Sequence, residues 1–281
     1  MTERQTPQAP RTHRALVLRR ERLTPHMIRV VFGGDGLRDF ATGPYTDSYV
    51  KLLFPAPGVA YPQPFDLAAV RRDLPREQWP RTRTYTVRNW DPAALELTID
   101  FVHHGDTGLA GPWAATARPG DELHLAGPGG AYAPDPTADW HLLIGDESAL
   151  PAIATALAAL PAGAPARVFL EVGGPEEEQK LDSPGSVEIT WLDRPADAPG
   201  AALVAAVTAA EFPTGRVHAF LHGEAHFVRE LRRHLRHDRG LGREQLSVSG
   251  YWRRGKDEDG WQASKPEWNR RIEEEQERER P

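Results

Sequence analysis

The spacing of apolar residues changes once along this chain, near residue 139, and that change restricts the possible folds more than any other feature. Before it come six short apolar or alternating runs: "ALVLRRE", "HMIRVVF", "SYVKLLF", "TYTVRNW", "LELTIDFVHH" and "DELHLA". Leu95, Leu97, Ile99 and Phe101 repeat every second residue, the period of a half-buried strand. Six such runs parted by turn residues predict a small closed antiparallel barrel over residues 12–134. "YPQPFDLAAVRRDLPREQWP" predicts a long excursion between two strands, and "APDPTAD" at 133–139 a linker. After it, the strands "WHLLIG", "ARVFLEV", "VEITW" and "RVHAFLH" alternate with or precede the helices "SALPAIATALAAL", "ALVAAVTAA" and "EAHFVRELRRHLR". In the last of these Phe227, Leu231 and Leu235 form one apolar stripe. This pattern predicts an α/β domain with a parallel sheet over 140–250, whose ligands lie at the carboxyl ends of its strands.

Residues 251–281 form a third piece. Ser264, Pro266 and Glu267 read as a capping box that opens a charged helix, "KPEWNRRIEEEQERER", pinned by Trp268 and Ile272 alone. At 281 residues the chain has room for two domains, and the 40% hydrophobic and 26% charged content is that of a globular protein. A net charge of −6 argues against general attraction to nucleic acid, so a basic site must be local. With no cysteine, disulfides, thiolate metal sites and thiol catalysis are excluded. The apolar window "LLIGDESALPAIATALAAL" is broken by Gly145, Asp146, Glu147 and Pro151, so no membrane span is expected. The polar opening "MTERQTPQAPRTHR" lacks a secretory core. The expectation is a soluble cytoplasmic monomer.

The chemistry begins with "RTRTYTVRNW" at 81–90, which sets arginine, tyrosine and threonine on one strand. A barrel followed by a nucleotide-type sheet suits the pairing of a flavin with a nicotinamide. Arg83 would then hold a phosphate of FAD bidentately. Tyr85 would lie against the ring or ribityl chain, and Thr86 would offer its hydroxyl to flavin N5. Alone, these residues read equally well as an exposed strand with surface arginines. "HHGDTGLAGPWAA" adds Gly105, Gly108 and Gly111 ahead of Pro112 at the start of a short helix, whose free amides suit a pyrophosphate. Together the two stretches favour flavin.

In order, "YVKLLFP", "RTYTVR", "DFVHHGDTGLAGPWA", "GDESALPAI" and "GYWRRG" resemble the siderophore-interacting proteins, FAD-dependent ferric-siderophore reductases related to ferredoxin reductases. The resemblance runs from about Arg14 to Trp268. It implies a flavin barrel, an NAD(P)H domain, and a ferric siderophore as substrate. Hydride would pass from nicotinamide to FAD, and electrons would pass singly to iron(III). Iron(II) is then held far less tightly by oxygen donors.

By match, Arg83, Tyr85, Thr86, His104, Gly105, Gly108, Leu109, Ala110 and Trp113 take flavin roles. Gly145, Asp146, Glu147, Ser148 and Ala149 are assigned to the nicotinamide–flavin junction, a turn that lacks the GxGxxG fingerprint. Glu171, ending the second strand of the sheet, suits a ribose 2′-hydroxyl and points to NADH, with NADPH possible. Glu224 matches a family turn near the nicotinamide. His222 and His226 in "HGEAH" lack a third ligand, so no resident metal is expected.

Tyr251 and Trp252 are expected at the flavin edge, with Lys51, Arg253 and Arg254 around an anionic substrate. The alternative for those two arginines is pairing with the acidic run Asp257, Glu258 and Asp259. Gly129 stands where many family members have an arginine. Two other functions stay open: a flavin oxidoreductase with another acceptor, and a non-catalytic ferric-chelate-binding module.

Overall fold

The computed structural model describes residues 11–278; the polar opening up to residue 10 and the end of the charged tail, 279–281, lie outside the described residues. The first half contains β1 (Thr12–Thr24), β2 (Met27–Gly33), β3 (Tyr49–Phe54), α1 (Leu67–Asp73), β4 (Arg81–Thr86), β5 (Asn89–Asp91), β6 (Glu96–Val102), α2 (Ala110–Thr116) and β7 (Glu122–Gly129). Its strands form one antiparallel sheet in the order β4-β3-β7-β1-β2-β6-β5. The sheet curls so that Tyr85 of β4 meets Phe101 of β6, their rings 4.4 Å apart. The expected excursion is α1, capped by Asp66, whose carboxylate accepts the amides of Ala68 and Ala69.

The alternation on β6 sets the inner face. Leu97, Ile99 and Phe101 are fully buried, while Asp100 on the other face takes both arms of Arg29 at 2.7 and 2.8 Å. Leu95 does not join them. It lies in the turn after β5 at φ 55°, where Asp91 accepts the amides of Ala93 and Ala94, so the strand starts one residue later.

The second half contains β8 (Trp140–Asp146), α3 (Leu150–Ala158), β9 (Pro165–Val172), β10 (Ser186–Asp193), α4 (Ala201–Ala209), β11 (Val217–Glu224), α5 (Ala225–Arg233) and β12 (Leu246–Trp252). They build a parallel sheet in the order β10-β9-β8-β11-β12. β12 is a fifth strand that the four apolar runs did not reveal, and it carries Tyr251 and Trp252 within the sheet. Every residue of β8 is buried, as a central strand covered on both faces requires. On one face α3 packs Leu150, Ile153 and Leu157 over Leu143, Val168 and Phe220. On the other, α4 and α5 pack Leu203, Val207, Phe227 and Leu231 over Leu142, Ile144 and Leu221.

α6 (Glu258–Arg278) begins six residues before the expected capping box. Asp257 accepts the amide of Gly260 and starts the helix there, so Ser264 is already interior and donates back to the carbonyls of Gly260 and Trp261. Pro266 likewise lies inside the helix. Ile272 is buried as expected, but fully buried Trp261 anchors the helix, donating its indole N–H to Gly250 O at 3.3 Å. The two halves are clasped by Glu177, whose carboxylate takes the Thr24 hydroxyl and both the amide and ring of His26. No helix of the described residues is long and apolar enough to cross a membrane.

Candidate functional site

β4 pairs only with β3, so its other edge is open, and the site is built along it. Arg83 is largely buried there, and α6 supplies its partners. Its Nη1 donates to Asp259 Oδ2 at 3.1 Å, and its Nε lies 3.6 Å from Glu258 Oε2. Glu258 also accepts the free edge amide of Thr84 at 2.8 Å. Of the acidic run that Arg253 and Arg254 had as an alternative partner, Glu258 and Asp259 thus sit on Arg83, and Asp257 caps α6. Burial pushes the Glu258 carboxyl up to about 6, even with Arg83 beside it.

Tyr85 turns toward Phe101, and burial raises its hydroxyl pKa. Thr86 is buried, facing Tyr49 across the ladder. Beyond β6 the turn through His104, Gly105 and Gly108 leads into α2. Gly105 and Gly108 hold φ 66° and 90°, and each faces open space, so a side chain at either would be strained and would intrude on whatever lies there. Gly111 serves packing instead: a Cβ would stand 2.9 Å from Val102 O. Leu109 offers no side-chain cap to α2, beginning at Ala110, which leaves first-turn amides for a ligand. Trp113, partly buried, packs at the barrel end among Phe32, Phe54 and Phe101.

The β8–α3 turn is a hub of internal bonds. Asp146 Oδ1 takes the amide and hydroxyl of Ser148, and Oδ2 takes the Glu224 amide and the Trp252 indole at 2.9 and 2.8 Å. Trp252 is thereby tied to the parallel sheet. Gly145 is needed because a Cβ would meet Ala149 Cβ at 2.6 Å, so glycine lets the start of α3 pack closely on the end of β8. Glu147 accepts the Gly173 amide and pairs with Arg194, and Glu171 pairs with Arg194 at 3.3 Å while accepting the Gly200 amide at 2.8 Å. Glu171 is thus buried and committed, not free at the strand end for a ribose hydroxyl. Burial raises both of these carboxyls, and Arg194 works against it. His104, lowered first by burial and then by the charge of Arg194, brings the glycine turn up to this same sheet end.

Glu224 caps α5 by accepting the His226 amide at 2.5 Å, and also takes the Arg254 amide at 3.2 Å. The Arg254 guanidinium reaches Asp197 O at 2.7 Å, while Arg253 stays exposed. Tyr251 turns inward, its ring edge-on to His222 at 5.0 Å, with its hydroxyl raised by burial. Lys51 points outward from β3. Sequence reasoning missed Arg194 altogether, and it missed that Glu258 and Asp259 pair with Arg83. Arg194 directly follows the end of β10, a strand-end base that could have been read; the two carboxylates gain meaning only from where α6 lands.

These residues fit a diphosphate-bearing flavin on two observations. Arg83 already holds two carboxylates, so it is an anion-holding group, and Gly105 and Gly108 keep a backbone cradle open. The residues 16–132 match the siderophore-interacting FAD-binding domain, and 138–255 match the siderophore-interacting protein domain. The chain is 34% identical to the ferric vibriobactin reductase ViuB of Vibrio cholerae, over 87% of this chain and 90% of that one.

The chain belongs to the siderophore-interacting protein family.

A crystal structure of a siderophore utilization protein from T. fusca, 40% identical, superposes with a TM-score of 0.76 over 89% of this family member and 95% of that chain. The fold also recurs at 18% identity in the ferredoxin reductase of carbazole 1,9a-dioxygenase, with a TM-score of 0.64 over 86% of this chain and 70% of that one.

Proposed function

We propose that this protein is a ferric-siderophore reductase that uses FAD to carry electrons from NAD(P)H to iron(III), releasing iron(II). The single observation behind this reading is the order of the two matched domains, a flavin-type antiparallel sheet followed by a siderophore-interacting parallel sheet. The domain limits that suit it are 12–134, 140–250 and 251–281. When bound, FAD would accept hydride from nicotinamide and pass its two electrons singly to two iron(III) centres.

The protein's own residues bind and orient. Arg83 would hold the diphosphate, joined by the amides around Gly108, Leu109 and Ala110. Tyr85 would pack against the flavin from β4, and Thr86 would offer its hydroxyl near N5. The carboxyl ends of β8, β9 and β11 would receive the nicotinamide, with Asp146 positioning Ser148, Glu224 and Trp252. Glu147 and Glu171 outnumber Arg194 at this end, which favours NADH over a cofactor with an added 2′-phosphate. That replaces the free carboxylate expected at Glu171 as the physical basis for NADH.

The test begins with acid release of the flavin from purified protein, where FAD is expected and FMN alone would count against the reading. Anaerobic reoxidation of the reduced flavin by a ferric siderophore, against quinones and free iron, then identifies the acceptor. Faster reoxidation by quinone would favour a general flavin oxidoreductase.

A further inference from the structure

This inference rests on the reductase reading and concerns how the nicotinamide and flavin ends of the molecule are kept in register. Glu177 ends the short helical turn Pro175–Glu177 that follows β9. Its amide donates to Gly174 O at 3.0 Å, and a Cβ at Gly173 would lie 3.9 Å from its Cγ. The Gly173 amide in turn donates to Glu147 Oε1 at 2.7 Å. The backbone of Glu177 is thus fixed to the carboxyl end of the parallel sheet, where the reductase reading puts the nicotinamide.

Its side chain crosses to the other half. Glu177 is 2% exposed, and the hydrogen bonds of its carboxylate among the described residues go to the β1–β2 turn. Oε2 accepts the Thr24 hydroxyl, while Oε1 accepts the His26 amide at 3.1 Å and lies 2.7 Å from His26 Nδ1. The His26 carbonyl then accepts the His103 amide at 2.9 Å. His103 directly precedes His104 and Gly105, where the glycine turn begins. One carboxylate and one peptide group therefore join the two cofactor ends through two successive hydrogen bonds.

Burying a carboxylate against a hydroxyl, an amide and an imidazole costs more than burying apolar side chains of the same volume. What the carboxylate adds is direction. Three polar groups of one turn converge on its two oxygens and fix where that turn stands relative to β9. Hydride transfer is sensitive to such placement: the reacting atoms must approach to about 3–3.5 Å, and a shift of about 1 Å costs on the order of a hundredfold in rate.

We propose that Glu177 is a positioning residue for hydride transfer, which through His26 holds the flavin turn at 103–108 in register with the carboxyl ends of β8 and β9. Reduction of the flavin by nicotinamide depends on this register. Its reoxidation by a ferric chelate involves no nicotinamide and does not.

The test pairs two readouts on Glu177→Gln, which keeps the volume but offers one acceptor oxygen in place of two. In the FAD-loaded protein, anaerobic stopped flow with the faster of NADH and NADPH follows reduction at saturation. Its limiting rate should fall on the order of tenfold, with reoxidation by an iron(III) trihydroxamate unchanged. His26→Ala, made from the other half, should lower the same rate. The double variant should fall no further than Glu177→Gln, since both act through one link. In the flavin-free protein, amide hydrogen exchange should quicken at 103–108 and not in the strands of either sheet. An unchanged reduction rate in Glu177→Gln overturns the assignment. So does an equal fall in both half-reactions, or faster exchange throughout both sheets, since either would make Glu177 a support of the fold alone. Wild-type protein that retains flavin yet is reduced by neither nicotinamide would instead overturn the reductase reading, and this inference with it.

Discussion

At the scale of single residues, the site turns on which charges are already committed. Arg83 is held in place by Glu258 and Asp259, so its guanidinium already pairs with anionic groups at the edge of β4. Arg83→Ala should weaken FAD retention by about 1.5–3 kcal/mol, the scale of a charge-assisted hydrogen bond. Flavin content and the dissociation constant of the apoprotein measure this, and no change in either would remove Arg83 from the site. At the other end, Arg194 is shared between Glu147 and Glu171. Wild-type flavin should be reduced faster by NADH than by NADPH in stopped flow at equal concentrations. Glu147→Gln, which leaves Arg194 with one carboxylate, should narrow that ratio by severalfold, and a wild-type preference for NADPH would refute the charge argument. Part of this was legible in the chain: the RTYT strand and the glycine turn have local signatures. The commitment of Glu171 was not, because its partners arrive from β10 and from Gly200, 29 residues on.

At the scale of elements, α6 departs furthest from its sequence reading. A charged helix pinned by Trp268 and Ile272 was expected; the observed helix starts earlier and lays Glu258, Trp261, Lys265, Trp268 and Ile272 along one face, at three- and four-residue spacing. Its first turn sits on the group that the diphosphate of FAD would use. Replacing both Glu258 and Asp259 by their amides should therefore tighten FAD binding to the apoprotein. Weaker binding would mean that the carboxylates orient Arg83 and do not compete for it. The same turn has a pH signature. The Glu258 carboxyl is raised from 4.5 to about 6 in the folded protein. The folded state therefore holds more protons than the unfolded one between those values, and stability falls as pH rises through them. Glu258→Gln removes that loss, so its urea midpoint should exceed wild type at pH 8 and approach it at pH 4.5. Equal midpoints at both pH values would show that the carboxylate is not desolvated.

At the scale of the whole molecule, the loss of stability from pH 7.5 to pH 5.5 comes from histidine; Asp73, Glu96, Asp135 and Asp238, whose pKa values are lowered mainly by hydrogen bonds, add to it only in stronger acid. His13, His104, His124, His141, His218 and His222 all have pKa values lowered with burial as the first cause, His222 to about 3. On unfolding each would take up a proton below about pH 6.5, so their contribution is present above that pH and lost as pH falls. Glu147, Glu171 and Glu258 act in the opposite sense, but they are fewer. The melting temperature should fall from pH 7.5 to pH 5.5, with net proton uptake on unfolding; a flat or rising profile would contradict this. The sequence by itself determined the plan of an antiparallel half followed by a parallel α/β half, because strand and helix periods are local and each half buries its own apolar residues. It also marked the RTYT edge strand and the glycine turn, whose residue types are required by backbone conformation over a few positions. The tertiary structure alone decided what each charged group faces. Arg83 and Asp259 are separated by 176 residues, and Asp146 and Trp252 by 106. Whether a charged group is open to a ligand or already paired depends on burial and on partners that only the packed chain brings within hydrogen-bond reach.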